Sequence, residues 1–168
     1  EEVQTTPASL AFLLRPEPLI ITKANQRSRH HRRGIMDYVG DKLYGPEGRL
    51  AGEIRMVGLF TSTAYTLSAR IIPYLRRKVD SVIARAGYDP ASHSGKALVN
   101  ILETYPRDEL FQSEDDTLFD NATAIVLLGE RPRIRVLTWR DEFDRFVSVL
   151  VYIPRDRYGL DQRVKIGA

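Results

Sequence analysis

Hydrophobic and polar residues alternate in two regions of the chain, on either side of a stretch with helical spacing. Alternation with a period of two is typical of half-buried strands. It predicts strands over residues 35–43, 50–61, 132–139 and 145–153. Two shorter apolar runs, at 10–14 and 19–22, are further strand candidates. The prolines that separate these two runs cannot lie in a central strand.

The segment between the first two predicted strands has the composition of a tight turn. It reads Gly45-Pro46-Glu47-Gly48. Glycine reaches positive φ values there, and proline fixes φ near about −65°. On the strand that follows, Leu50, Ile54, Met56 and Phe60 share one face. We therefore expect a β-hairpin at this place.

Between the two strand regions, apolar residues recur every three or four positions, as on one face of a helix. This spacing predicts helices over residues 72–86, 95–105 and 114–128. Short polar residues cap helices, while proline and glycine mark where helices begin or stop. The residues suited to these roles are Pro73, Gly87, Ser92 or Ser94, Pro106, Ser113 and Gly129.

The order of the elements predicts an α+β domain, with an antiparallel sheet and a helical insert. Strands on both sides of the insert favour a PAS- or profilin-like sheet. A ferredoxin-like ACT arrangement is the alternative, and it fits less well because it places a helix after its first strand. We expect a tail at residues 1–8, a single domain at 9–153 and a linker to the next domain at 154–168.

Composition narrows the class of protein. The 168 residues carry 25 basic and 22 acidic side chains, and the net charge of +3 does not by itself indicate a polyanion partner. Cysteine is absent, which rules out disulfides and favours a reducing cytoplasm. No apolar run approaches the roughly 20 residues that span a membrane. The first residue is Glu1 rather than methionine, which suits a piece of a larger protein.

Motifs of common catalytic sites are missing from the sequence. The glycines form neither the dinucleotide-binding fingerprint nor a phosphate-binding loop, and no Gly-x-Ser-x-Gly elbow occurs. The three histidines, His30, His31 and His93, do not have the spacing of metal ligands. We therefore expect no catalytic residue, no bound cofactor and no metal site in this chain.

The densest basic segment lies at residues 26–33 and reads Gln-Arg-Ser-Arg-His-His-Arg-Arg. Charge runs are usually solvated loops, which is the simpler interpretation. The functional interpretation is that Arg27, His31 and Arg32 contact a neighbouring domain or subunit, or bind a small anion. An arginine fork suits a carboxylate. Nucleic acid is not the expected partner, because no aromatic residues are interleaved there.

Several longer segments resemble the large bacterial NAD-specific glutamate dehydrogenases. The most specific is Gly95-Lys96-Ala97-Leu98, followed at 100–112 by Asn-Ile-Leu-Glu-Thr-Tyr-Pro-Arg-Asp-Glu-Leu-Phe-Gln. The others lie at residues 19–25, 58–65, 72–79, 145–148 and 154–158. Two departures from the family pattern are present. His30 and Arg33 add basic character to an Arg-Ser-x-x-His-Arg pattern, and Ile71 stands where an acidic residue commonly starts a helix.

The resemblance covers about residues 14–160. It implies a non-catalytic regulatory or structural piece of an enzyme that oxidatively deaminates L-glutamate to 2-oxoglutarate with NAD. It also implies a cytoplasmic, oligomeric parent whose N-terminal region is a series of ACT-like and PAS-like domains, with the catalytic residues and the NAD fold elsewhere. Neighbouring domains and subunits are the implied partners. The alternative is a sensing domain that binds an amino-acid effector.

Overall fold

The computed structural model describes residues 14–29, 34–140 and 146–167, which form five strands and six α-helices. The strands are β1 (Leu19–Arg27), β2 (Ile35–Tyr44), β3 (Leu50–Gly58), β4 (Arg135–Arg140) and β5 (Val147–Tyr152). The helices are α1 (Ser62–Thr66), α2 (Pro73–Ala86), α3 (His93–Thr104), α4 (Arg107–Gln112), α5 (Asp115–Glu130) and α6 (Leu160–Gly167). A 3₁₀ turn at Arg155–Arg157 precedes α6.

These elements form two compact units. One unit contains the chain up to Leu67 together with α4, and the other contains residues 68–106 and the chain from Ser113 onward. The two units divide the range predicted as a single domain, and the boundaries predicted at 1–8, 9–153 and 154–168 stay predictions. Within the described parts of the chain, none of the helices combines the length and apolar character that a membrane crossing needs.

In the first unit, β1, β2 and β3 form an antiparallel sheet in that order. The predicted hairpin of β2 and β3 is confirmed. Its turn is closed by bonds from Gly45 N to Arg49 O and from Gly48 N to Gly45 O, both 2.9 Å long. Gly48 has a φ of 71°, a left-handed conformation that glycine adopts without steric strain. β3 ends at Gly58, earlier than predicted.

β1 is longer than the apolar run at 19–22 that predicted it. It continues to Arg27, with a shift of register between Lys23 and Arg27. The candidate strand at 10–14 lies almost entirely outside the described residues. Helix α4, which was not predicted, packs against β1. It begins directly after Pro106, since a proline that cannot continue one helix is tolerated at the start of the next.

In the second unit, the three predicted helices are confirmed as α2, α3 and α5. α2 has Pro73 in its first turn and ends at Gly87, whose φ is 63°. The Ser92 hydroxyl accepts a bond of 3.0 Å from the Gly95 N–H, so Ser92 rather than Ser94 caps α3. The apolar faces of these helices form a core that contains Leu75, Val79, Val82, Leu98, Leu102, Leu118, Ala122 and Val126.

Both ends of α5 differ from the prediction. Its N-cap is Glu114, without a side-chain capping bond, and not Ser113. Ser113 is instead buried, and its carbonyl oxygen accepts a bond from the buried Lys78 ammonium of α2. The helix also runs through Gly129 to Glu130, because glycine weakens a helix without always ending it.

β4 and β5 pair with each other as a separate two-stranded antiparallel sheet. The prediction of one antiparallel sheet was therefore wrong for the described strands, and the PAS- or profilin-like arrangement is not confirmed. The coarser prediction, an α+β protein with antiparallel strands, is confirmed. Hydrophobic periodicity identifies a strand, but the choice of its partner depends on packing between distant segments.

Candidate functional site

A partly buried ion cluster, in which the Asp108 side chain is 42% exposed, lies on one face of the β1-β2-β3 sheet. We call it the Lys23 cluster, and it consists of Lys23, Asp37, Tyr65 and Asp108. Lys23 and Asp37 are directly opposite each other on β1 and β2. The Lys23 ammonium donates to Asp37 Oδ1 at 2.6 Å and to Asp108 Oδ1 at 2.9 Å. Asp108 belongs to the first turn of α4, so the cluster ties this helix to the sheet.

Two more donors complete the bonding of the carboxylates in the Lys23 cluster. The backbone N–H of Phe60 donates to Asp37 Oδ2 at 2.8 Å, and the Tyr65 hydroxyl donates to Asp108 Oδ1 at 2.9 Å. The side chains of Lys23 and Asp37 are 14% and 5% exposed. Buried charges are tolerated only when they are paired and hydrogen-bonded, and both conditions are met here.

The protonation state of Lys23 decides what chemistry this cluster supports. Burial acts to lower the pKa of the Lys23 amine, but the hydrogen bonds and charges of Asp37 and Asp108 outweigh burial and raise that pKa above 10.5. Burial, with the bond to Asp108, also raises the pKa of the Tyr65 hydroxyl. An amine that stays protonated at neutral pH is neither a nucleophile nor a base. The cluster is therefore suited to holding α4 rather than to catalysis.

The opposite face of the same sheet carries a second polar group. This Tyr38 cluster consists of Tyr38 on β2 with Glu53 and Arg55 on β3. The Tyr38 hydroxyl donates to Glu53 Oε1 at 2.5 Å, and Arg55 Nε donates to Glu53 Oε2 at 2.7 Å. Burial, followed by the bond to Glu53, raises the pKa of Tyr38, and the bond to Glu53 raises the pKa of Arg55. The buried Glu53 carboxylate is thus held by one neutral and one charged donor.

Gly40 on β2 makes room for the Tyr38 cluster. A Cβ atom at this position would lie 2.3 Å from Glu53 Oε1 and 3.0 Å from the Tyr38 ring. Any side chain here would have to displace the Glu53 carboxylate. Glycine inside a strand often marks such a close approach.

A shallow groove of about 240 Å³ lies where α5 ends, beside the end of β5. Its lining is mostly apolar and includes Ile125, Leu128, Ile153 and Pro154, while Arg133 and Tyr152 contribute polar groups. Burial raises the pKa of the Tyr152 hydroxyl. Over the described ranges, no three His, Cys, Asp or Glu side chains are grouped in a way that would hold a metal ion.

Of the three predicted contact residues, the structure describes only Arg27. It is the exposed last residue of β1, opposite Ile35, and so lies on a strand end rather than in the predicted loop. His31 and Arg32 fall outside the described residues. Their grouping with Arg27 at one contact stays a prediction.

The Lys23 and Tyr38 clusters were not predicted from the sequence. A signal was present, because charged residues inside strand patterns must find partners when the strand is buried. Lys23 directly follows the apolar run at 19–22, and Asp37 lies inside the predicted strand at 35–43. The partner on α4 could not be found in this way, since that helix was itself missed.

Two family models match this chain. The model described as glutamate dehydrogenase, helical motif 1, matches residues 72–131, a range that contains α2, α3, α4 and α5. The model described as glutamate dehydrogenase, ACT2 domain, matches residues 135–168, which begin at the first residue of β4 and include β5. The matched ranges thus follow the observed elements of the second half of the chain.

Curated relatives extend the similarity to the first half. NAD-specific glutamate dehydrogenase of Pseudomonas aeruginosa is 44% identical over 158 residues, which are 94% of this chain and 10% of that protein. The protein of the same name in Halomonas elongata is 40% identical over 151 residues, or 90% of this chain and 9% of that protein. A third, from Mycobacterium tuberculosis, is 41% identical over 106 residues, 63% of this chain and 6% of that protein.

From residue 72 onward, the chain thus matches two non-catalytic modules, a helical motif and an ACT2 domain. The chain belongs to the family of NAD-specific glutamate dehydrogenases, as the resemblance in its sequence implied. It spans about a tenth of the length of the curated relatives that it matches over most of its own length.

Proposed function

We propose that this chain is a structural and regulatory segment of an NAD-dependent glutamate dehydrogenase. The full-length protein would oxidatively deaminate L-glutamate to 2-oxoglutarate in the cytoplasm, with NAD bound outside this segment. The observation that carries the proposal is that 94% of the chain aligns with 10% of such a protein. The modules matched within that tenth are a helical motif and an ACT2 domain.

The polar clusters of the first unit support a structural role. The Lys23 ammonium is held between two carboxylates and stays protonated, so it is an ion-pair partner and not a reactive amine. Glu53 is 5% exposed and accepts bonds from Tyr38 and Arg55. In both clusters the hydrogen bonds join separate elements of the same unit. Such bonds hold the elements in fixed positions, as a structural segment between other domains requires.

We propose that β4 and β5 are two strands of a ferredoxin-like ACT sheet. Their register places Val136, Val147 and Val149 on one face of the hairpin, and each of these side chains is more than half exposed. A two-stranded hairpin is marginally stable alone, and its apolar face gains stability when it is covered. This supports the proposal that neighbouring domains and subunits of the same enzyme are the partners of this chain.

An NADH titration tests the non-catalytic assignment. The full-length protein should show saturable fluorescence transfer to bound NADH, and the 168-residue chain should show neither this signal nor glutamate deamination. Saturable NADH binding by the chain alone, at micromolar concentration, would overturn the assignment.

The predicted basic contact is tested in the full-length protein. Arg27→Ala combined with Arg32→Ala should alter assembly or the response to effectors, because each arginine offers a planar fork to a carboxylate of a neighbour. Thermal stability of the isolated chain should change by no more than about 0.5 kcal/mol, as for other surface substitutions. Unchanged assembly and regulation would leave only the solvated-loop interpretation.

Binding of an amino-acid effector is the second candidate function. The groove at the end of α5 is the observation behind it, because Arg133 in its lining can pair with a carboxylate. A thermal-shift screen of amino acids tests this, since a ligand at a hundred times its dissociation constant stabilises by about 2.7 kcal/mol. Arg133→Ala should remove the shift, and Arg135→Ala, which lies outside the groove lining, is the matched control. No shift with any amino acid would count against the groove.

A further inference from the structure

β3 is an edge strand of the β1-β2-β3 sheet, and within the described residues it pairs with β2 alone. Its apolar side chains remain exposed: Leu50 by 41%, Ile54 by 48%, Met56 by 54% and Val57 by 51%. Proteins usually protect such an edge with proline, with charged side chains, above all lysine, or with a very short strand. β3 has 9 residues and contains neither proline nor lysine, and its charged side chains, Glu53 and Arg55, bond to each other, so its edge can accept a further strand.

We propose that β3 pairs antiparallel with β3 of a second copy of this chain, about a two-fold axis that passes through Ile54. The two three-stranded sheets would then form one continuous sheet of six strands. In this register Ile54 faces itself across the axis. The other opposing pairs are Glu53 with the partner's Arg55, Gly52 with the partner's Met56, Ala51 with the partner's Val57, and Leu50 with the partner's Gly58.

The order of charges favours this register over the two neighbouring registers, in which the axis passes through Glu53 or Arg55. Glu53 and Arg55 lie on the same face of β3, one on each side of Ile54, so the two-fold axis brings each of them opposite its counter-charge. Moving the axis to Glu53 or to Arg55 would place like charges directly opposite each other, which is destabilising. The Glu53 carboxylate already accepts from Tyr38 and Arg55, but a carboxylate offers about four acceptor positions.

Residue size follows the same symmetry. The bulky residues Leu50, Met56 and Val57 would each face a glycine or an alanine of the partner. A Cβ atom added at Gly52 or Gly58 would meet nothing within 4 Å, so open space lies beside both glycines. Large residues opposite small ones interdigitate without voids. Because an edge pairing buries less surface than a standard interface of about 1,600 Å², we expect a weak dimer in the micromolar range.

Disulfide trapping tests the register, since the chain has no cysteine of its own. Directly opposite residues have Cβ atoms about 4.5–5.5 Å apart, close to disulfide reach. At about 100 µM chain, Ile54→Cys should give a covalent dimer under mild oxidation. Ala51→Cys, the matched control on the same exposed strand, should stay monomeric alone and should cross-link when mixed with Val57→Cys. Equal cross-linking of Ile54→Cys and Ala51→Cys would overturn the register.

Charge placed on the axis gives an independent test. Ile54→Asp and Ile54→Lys each bring two like charges together, so each variant should sediment as a monomer at about 100 µM, where the natural chain forms dimers. A 1:1 mixture of the two variants should recover the dimer. Circular dichroism should be unchanged, because Ile54 is half exposed.

A monomeric natural chain, or a mixture that stays monomeric, would overturn the proposal and assign this edge to another segment of the parent protein. Neither measurement uses glutamate dehydrogenase activity, so failure here leaves the proposed function untouched.

Discussion

The sheet of β1, β2 and β3 and the helices α2, α3 and α5 are stabilised in different ways. The helices meet mainly through apolar side chains, of which Leu75, Val79 and Leu102 are completely buried, although α2 also buries the charged Lys78. The sheet buries charged groups as well, with Asp37 4% and Lys42 5% exposed. Apolar burial is non-directional and roughly proportional to area, whereas a buried ion pair depends on both partners. The helical core should therefore respond to lost volume, and the sheet to lost bonding partners.

The largest effect is expected from Leu102→Ala in α3. This side chain is 0% exposed, so its removal should lower the free energy of unfolding by about 2–5 kcal/mol through lost burial and a cavity. Urea denaturation measures the total, and hydrogen exchange should locate the loss in α2, α3 and α5. Leu127→Ala in α5, where the side chain is 53% exposed, is the control and should cost no more than about 0.5 kcal/mol. Equal costs for the two variants would show that this core is not what stabilises the helices.

The next largest effect is expected from Asp37→Ala in β2. It removes a partner of the Lys23 ammonium and the acceptor of the Phe60 N–H. The free energy of unfolding should fall by about 3 kcal/mol, which is at the lower end of the range for breaking a buried ion pair. The fall is not larger because Asp108 still pairs with Lys23. Hydrogen exchange should increase in β1, β2 and α4. Replacing both charges, as in Lys23→Met with Asp37→Leu, should recover part of the loss, because Asp108 and the Phe60 N–H each still lose a bond. A double variant as unstable as the single one would mean that shape, not charge, controls this site.

The two regions also differ in how far the sequence predicts them. The helices were located because local signals agree: apolar spacing, Pro73 at a start and Gly87 at an end. The β2-β3 hairpin was located by its turn residues. The split into two sheets could not be predicted, because the sequence pattern of residues 132–153 does not determine which other strands they pair with. The Lys23 cluster was missed for the same reason, since Asp108 meets Lys23 only after α4 packs on β1.

A smaller effect, with a characteristic pH dependence, is expected from Tyr38→Phe. At neutral pH the loss of the hydrogen bond to the buried Glu53 should lower the free energy of unfolding by about 1–2 kcal/mol. The pKa of Tyr38 is raised in the folded chain above its usual value of 10.0, so the unfolded chain releases this proton first. The stability that protonated Tyr38 contributes to the folded chain is therefore fully present below about pH 10. It is lost as the pH rises through the pKa that Tyr38 has in the folded chain.

Urea denaturation between about pH 9 and about pH 12 checks the Tyr38 prediction. The variant should lose stability with pH less steeply than the natural chain. The decline should not vanish, because the pKa of Tyr65 is raised as well by burial and by its bond to Asp108. Parallel pH profiles would contradict the assignment of a raised pKa to Tyr38.

The smallest effect is expected from Asp116→Ala, which removes the ion pair between Asp116 on α5 and Arg85 on α2. The two side chains are 82% and 48% exposed, so water screens their attraction and the cost should stay below about 1 kcal/mol. It should shrink further in high salt.

Arg85→Ala should cost more than Asp116→Ala, because Arg85 also lies 4.1 Å from the centre of the Phe119 ring and that contact does not need the carboxylate. A double-mutant cycle in urea isolates the ion pair. A coupling energy as large as the cost of Asp37→Ala would show that burial does not separate the strong ion pairs of the sheet from the weak one between the helices.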